Sequence, residues 1–170
     1  MASREYRVEP LQKSHDRQTF HCGSAALDRY LQHQARQDAD KRVAAPFVLV
    51  SPGSVAVLGY YTLSAFSLNA DELPAEMVKK LPRYERLPAT LLGRLAVDLS
   101  LKGQRLGQFL LLNALHRSLQ AATGIASLAV IVDAKDDSAA SFYRHMDFIP
   151  LQATPARLFL PMKAIAQLFA

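Results

Sequence analysis

The residues whose types and spacing could do chemistry lie between Leu91 and Gly107. Leu91 to Val97 is a β-rich run, and Lys102-Gly103-Gln104-Arg105-Leu106-Gly107 then leads into a stretch of helical spacing. A glycine-bearing turn that feeds a helix N-terminus presents main-chain N–H groups at the positive end of the helix dipole, an arrangement that binds phosphate. Two glycines alone most often only permit a tight turn and close packing. Here Lys102 and Arg105 add positive charge at the same point, which favours an anionic ligand. No Gly-Lys-Ser/Thr follows, so a nucleoside-triphosphate loop is excluded, and the glycine spacing does not fit a dinucleotide fingerprint. A different phosphorylated ligand is expected.

A second group is Ala139-Ala140-Ser141-Phe142-Tyr143. Adjacent helix residues point about 100° apart, so Phe142 and Tyr143 do not share one pocket, and the phenol suits the half-polar side. Taken alone, such a pair is more often core packing than chemistry. His15, His21, His33, His116 and His145 form no metal spacing and no triad; each reads as a surface or packing residue, and no general base emerges. Cys22 is the only cysteine, which rules out an internal disulfide and a zinc-holding cysteine cluster. An inert, buried thiol is expected there rather than a nucleophile.

The elements that must position these residues follow from periodicity. Tyr6 to Pro10 alternates like a strand, and Ser24 can cap a helix carrying Leu27, Tyr30, Leu31 and Ala35 that ends in the charged stretch Arg36 to Arg42. Phe47 to Val50 and Val55 to Leu63 read as a hairpin around Pro52-Gly53. Asn69 to Thr90 is a long connection with Pro74, Pro82 and Pro88, a short helix near Pro74 to Lys80, and a potential role in substrate contact. Strand Leu91 to Val97 precedes a helix from Gln104 to Ala122, with Leu106, Leu110 and Ala114 inward and Gly124 as its stop. Strand Ala126 to Val132, helix Ser138 to Met146, strands Phe148 to Leu151 and Arg157 to Leu160, and helix Lys163 to Phe169 complete the chain.

This order predicts a mixed α/β domain rather than a doubly wound one, and 170 residues suit a single domain over 1–170. Lys and Arg exceed Asp and Glu by 20 to 15, giving +5, which favours a polyanionic partner such as nucleic acid, coenzyme phosphates or an acidic protein. Neither a signal-peptide pattern nor a bilayer-length apolar run is present, so a soluble, cytoplasmic protein without membrane contact is expected.

On these residues the chain resembles the GNAT N-acetyltransferases, whose motif Gln/Arg-x-x-Gly-x-Gly/Ala holds the pyrophosphate of coenzyme A between a strand and a helix. More narrowly, Leu92-Gly93-Arg94-Leu95-Ala96-Val97-Asp98 with Lys102 to Gly107, Phe20-His21-Cys22-Gly23, Leu58 to Ser64, and Phe142-Tyr143 with Phe148 are similar to the GNAT toxins of toxin-antitoxin pairs. The resemblance spans nearly the whole chain. It implies a GNAT fold with a central, mostly antiparallel twisted sheet flanked by helices, and acetyl-CoA as co-substrate with no metal. Coenzyme contacts are implied for Leu95, Ala96, Val97, Lys102, Gly103, Gln104, Arg105, Leu106, Gly107 and Phe142. The resemblance places Tyr143 by the thioester sulfur as general acid, and a strand N–H from Leu95 to Val97 polarises the thioester carbonyl.

Three departures stand out. Lys102 occupies the Gln/Arg position and keeps a cation there. Arg105 replaces the first motif glycine, which a negative φ at a helix start accommodates. Asp147 replaces the glycine before Phe148, where aspartate tolerates a left-handed turn.

The toxin resemblance implies acetylation of the α-amine of an aminoacyl-tRNA, blocking translation. An α-amine titrates near about 8 and needs little base. Arg36, Lys41, Arg42, Lys79, Lys80, Arg83, Arg86 and Arg94 are then the expected RNA contacts, although charges of this kind also form solvated faces. A ribbon-helix-helix antitoxin and a homodimer are implied in the same way. The alternatives are a GNAT enzyme acting on a small amine, peptide or protein lysine, which needs an acidic pocket or a base, and a non-catalytic binding module that kept the fold.

Overall fold

The computed structural model describes residues 5–170; residues 1–4 of the expected 1–170 domain lie outside the described residues. Seven strands form one sheet in the order β1-β2-β3-β4-β5-β7-β6, where β1 is Arg7–Pro10, β2 Ala45–Val50, β3 Gly59–Asn69, β4 Arg86–Val97, β5 Ala129–Asp133, β6 Ile149–Pro150 and β7 Arg157–Pro161. The pairs β1/β2, β2/β3, β5/β7 and β6/β7 are antiparallel, and β4/β5 is parallel. The helices are α1 (Ala25–Arg29), α2 (Ala35–Asp40), α3 (Ala75–Val78), α4 (Leu106–Ala121), α5 (Asp137–His145) and α6 (Met162–Leu168). Among the described residues no helix is long and apolar enough to cross a membrane.

The chain forms two compact units, residues 5–64 with 93–114, and residues 65–92 with 115–170; β3, β4 and α4 contribute to both. In the first, Leu31, Ala35, Val48, Val50, Tyr60 and Ala96 are among the buried residues that gather around Phe20 and Tyr30. In the second, Leu68, Leu87, Ala89, Ile131 and Phe159 are central to a separate core. Arg157, half-buried with its guanidinium over the Phe66 ring, bridges Asp133 at 2.8 Å and Glu72 at 3.4 Å in this second unit. Those two carboxylates raise its pKa further.

Several expected boundaries move, each for a local reason. Strand β4 begins at Arg86 rather than Leu91, because Leu87 and Ala89 are buried while Arg86 and Pro88 face out, an alternation that Pro88 disguised. Proline has no N–H to donate, but its carbonyl accepts from Leu128 N–H at 2.9 Å. Arg86 therefore belongs to a strand and not to the connection.

The hairpin partner β3 starts at Gly59 rather than Val55, since the preceding residues pair elsewhere: Asp16 N–H donates to Val55 and Val57 N–H to Asp16. Ser24 caps α1 as expected, accepting from Leu27 N–H. A π-helical turn, Tyr30–Gln34, then separates α1 from α2, with Ala35 N–H reaching back to the Tyr30 carbonyl. Helix α4 opens at Leu106 rather than Gln104, and it ends at Ala121, before Gly124.

Gly59 fixes α4 against the strands in the first unit. A Cβ there would meet Leu110 Cδ1 at 2.9 Å and the Ala96 carbonyl oxygen at 3.0 Å, and a main-chain oxygen cannot step aside cheaply. Gly59→Ala is expected to destabilise the protein by about 1–3 kcal/mol, read as a lower denaturation midpoint with unchanged m.

Candidate functional site

The strand–turn–helix order expected for this segment is present as β4, a 3₁₀ turn and α4. The parallel pairing of β4 with β5 covers Thr90–Leu92 against Val130–Val132. Gly93 to Val97 lie beyond that register, so the main chain of Leu95, Ala96 and Val97 has no β5 partner among the described residues. Asp98 then ends the strand and caps a 3₁₀ turn, Leu99–Leu101, by accepting from Ser100 N–H at 3.0 Å. Lys102, Gly103, Gln104 and Arg105 are exposed, Leu106 is buried and Gly107 half-buried. The first bond of α4 runs from Phe109 N–H to the Arg105 carbonyl at 3.1 Å, which places the N–H groups of Leu106, Gly107 and Gln108 ahead of the helical ladder.

Arg105 corrects an expectation. Its φ is +58°, in the left-handed region that favours glycine, instead of the negative φ of a helix start. Gly103, at +84°, precedes it, and together they turn the chain sharply before the helix. For a non-glycine residue that conformation costs about 1–2 kcal/mol, and it leaves the guanidinium on an exposed turn. Asp147 does take the left-handed conformation foreseen for it, at φ +70°.

Asp147 also explains how Tyr143 is held. Helix α5 ends with Asp147 N–H on the Arg144 carbonyl and Phe148 N–H on the Tyr143 carbonyl, both at 3.0 Å, the paired bonds of a Schellman motif. The apolar contact that accompanies this motif is Phe148 against Tyr143, with ring centroids 5.4 Å apart. Phe142 lies edge-on to Tyr143 at 5.3 Å and is only half-buried, whereas Tyr143 is 8% exposed. Burial pushes the Tyr143 phenol up to about 12, with no neighbouring charge contributing. These residues belong to the second unit and the 102–107 turn to the first.

A polar cluster in the first unit was not legible as such in the sequence. Asp28, on the buried face of α1, accepts from Cys22 N–H at 2.9 Å and pairs with His21 Nδ1 at 3.1 Å. Burial alone would raise its pKa, but the bonds from Cys22 and His21 outweigh it and hold the carboxyl below the ordinary range. His21 N–H donates to Asp98 at 3.0 Å, and the His21 carbonyl accepts from Leu99 N–H at 2.9 Å. A charge among Leu27, Tyr30 and Leu31 was the one available signal. Cys22 is half-buried, with its thiol directed to the Ser24 carbonyl. His15 is a buried packing residue bonded to Glu9 at 2.7 Å.

The basic residues divide. Lys41 and Arg42 are exposed at the end of α2, where Arg42 takes φ +59°, and Arg36 is half-buried. Lys79, Lys80, Arg83 and Arg86 are exposed in the second unit, with Lys79 paired to Glu76 at 3.4 Å and Arg86 bonded to Ser67 at 3.3 Å. Arg94 instead lays its guanidinium 3.5 Å from the Tyr30 ring centroid. The Tyr30 phenol in turn donates to Asp38 at 2.7 Å. Among the described residues no three His, Cys, Asp or Glu side chains group as a metal site.

A mixed sheet with a β4–turn–α4 cradle is the GNAT acetyltransferase fold, and solved structures agree. The chain matches a Tyr-to-Phe mutant of KacT with a TM-score of 0.91 at 32% identity, covering 96% of this chain and 99% of that one. It matches AtaT complexed with acetyl-methionyl-tRNAfMet at 0.91 and 32%, covering 98% and 100%. AtaTR bound with acetyl-CoA matches at 0.85 and 31%, covering 97% and 98%, and an AtaT mutant bound to the C-terminus of the antitoxin AtaR at 0.84 and 29%, covering 98% and 99%. No family model matches the chain. Among curated proteins it is 35% identical over 145 residues to a tRNA-acetylating toxin of Mycobacterium tuberculosis, covering 85% of each. It is 26% identical over 169 residues to a probable toxin TacT of Sinorhizobium fredii, covering 95% and 93%. The chain belongs to the family of the tRNA-acetylating GNAT toxins.

The left-handed Arg105 yields a direct test. Arg105→Ala keeps the unfavourable φ and Arg105→Gly removes it, so the glycine variant should be the more stable by about 1 kcal/mol in chemical denaturation. Both lose the guanidinium, and both should bind acetyl-CoA more weakly in calorimetry.

Proposed function

We propose that this protein transfers the acetyl group of acetyl-CoA to the α-amine of an aminoacyl-tRNA and so withdraws that tRNA from translation. The observation that carries the reading is the left-handed turn at Gly103 and Arg105 ahead of α4, in a chain 35% identical to a tRNA-acetylating toxin. The site fits the coenzyme by its chemistry. N–H groups ahead of the helical ladder suit the pyrophosphate, with Lys102 and Arg105 neutralising its charge. Strand N–H groups from Leu95 to Val97 suit the thioester carbonyl, where negative charge develops as the amine attacks.

Tyr143 has a narrower role than general acid. A thiol ionises near about 8.5, so a phenol held at about 12 gives its proton to a thiolate only uphill, by about 5 kcal/mol. The energetically sound role is a hydrogen bond from the neutral phenol to the departing sulfur. Arg36, Lys41, Arg42, Lys79, Lys80, Arg83 and Arg86 remain the proposed contacts to RNA phosphates. Arg94, already stacked on Tyr30, is better assigned to holding the π-helical turn.

The relatives match along most of the chain, which supports treating 1–170 as one functional domain. A charged-tRNA substrate implies work in the cytoplasm. An antitoxin partner and a homodimer complete the proposal, the former supported by the AtaR-bound AtaT structure.

Tyr143→Phe should lower kcat on charged tRNA about 100-fold while leaving the Kd for acetyl-CoA unchanged. Because a phenol at about 12 stays neutral below that pH, the wild-type profile between about pH 6 and 9 should carry no limb that the phenylalanine variant removes. Transfer to small amines or peptides but not to charged tRNA would move the reading to another GNAT substrate, and coenzyme binding without any transfer would move it to a binding module.

A further inference from the structure

His21 stands out among the five histidines. Its side chain is 70% exposed, yet one ring nitrogen is tied at 3.1 Å to Asp28, whose side chain is 11% exposed. Asp28 is ionised and can only accept, so the shared hydrogen sits on His21 Nδ1. In the neutral ring this leaves the Nε2 lone pair free, the tautomer that a proton acceptor needs. The main chain of His21 is fastened on both sides to the end of β4, through its N–H to Asp98 and its carbonyl to Leu99 N–H. The main chain of His21 is thus anchored at Asp98 and Leu99, directly after the strand whose N–H groups are assigned to the acetyl carbonyl, and Asp28 holds the ring. The charged groups facing it are Asp28 from α1 and Asp98 from the end of β4.

We propose that His21 is the general base of the reaction, with Asp28 as its positioning residue. The inference rests on the acyl transfer proposed above. The incoming α-ammonium gives one proton to His21 Nε2, and the neutral amine attacks the thioester carbon. The C–N bond forms, the C–S bond breaks, and the second amine proton leaves with the thiolate, giving an amide and free coenzyme A. His21 returns its proton to water through its exposed edge. The base extends the working range of the enzyme below the pKa of the substrate amine, where most of that amine is charged.

The test is kcat/KM on charged tRNA from pH 6.5 to 8.5 for wild type, His21→Gln and Asp28→Asn, alongside acetyl-CoA binding. His21→Gln should lose about 100-fold at the acid end, and the deficit should close towards pH 8.5 as the amine neutralises unaided. Added imidazole should restore part of the lost rate, Asp28→Asn should fall between the two, and coenzyme affinity should hold. A deficit equal at every pH, no deficit, or a parallel loss of acetyl-CoA binding overturns the assignment. Wild-type protein that transfers nothing to charged tRNA at any pH refutes the acyl-transfer reading itself, and the base with it.

Discussion

The carboxylate of Asp98 makes the connection on which the rest of the first unit depends. It accepts one N–H from His21 and another from Ser100, while the main-chain N–H of Asp98 donates to the Leu58 carbonyl at 2.8 Å. A single side chain therefore ends β4, starts the turn that leads to α4, and fastens the distant Phe20-His21-Cys22-Gly23 segment to both. Burial works against its ionisation, and the N–H groups of His21 and Ser100 outweigh that cost and hold its pKa low. Asp28 repeats the arrangement one step away, taking Cys22 N–H and the His21 ring. Bonds from N–H to an ionised acceptor are stronger than neutral ones, so these two carboxylates give the segment a single geometry.

The same logic of local constraint recurs at Tyr143. Its ring is not aimed by a hydrogen bond but by the way α5 stops: the left-handed Asp147 allows Phe148 to fold back, and the Phe148 ring then packs on Tyr143. Burial there pushes the phenol, already a weaker acid than a thiol, further up, which supports the hydrogen bond to sulfur proposed for it over proton donation. In the proposed transfer a neutral hydrogen bond relieves charge at sulfur and strand and turn N–H groups serve carbonyl and phosphate, so below the pKa of the amine its proton is the one left needing a separate group. The exposed edge of His21 is suited to it.

Much of this could be read from the sequence because its signals are local. The strand–turn–helix order around Lys102 to Gly107, the Ser24 cap and the left-handed Asp147 each depend on residues close in the chain. What escaped depended on distant partners or on a conformation against type. Arg105 was expected to take the negative φ that a helix start allows, but α4 opens one residue later and Arg105 stays in the left-handed turn before it. Pro88 concealed the start of β4, since the donor to its carbonyl, Leu128 N–H, lies far along the chain. His21 looked like an ordinary surface histidine because Asp28 meets it only after α1 has folded back, and Asp98 only through the sheet.

In the proposed complex the coenzyme phosphates lie on the main chain of the turn before α4. The most direct test of that placement is a titration of the isotope-labelled protein with coenzyme A, following backbone amide chemical shifts. The largest changes should fall at Gly103 to Gln108, with saturation matching the calorimetric Kd. Saturable binding that leaves those amides unmoved would contradict it.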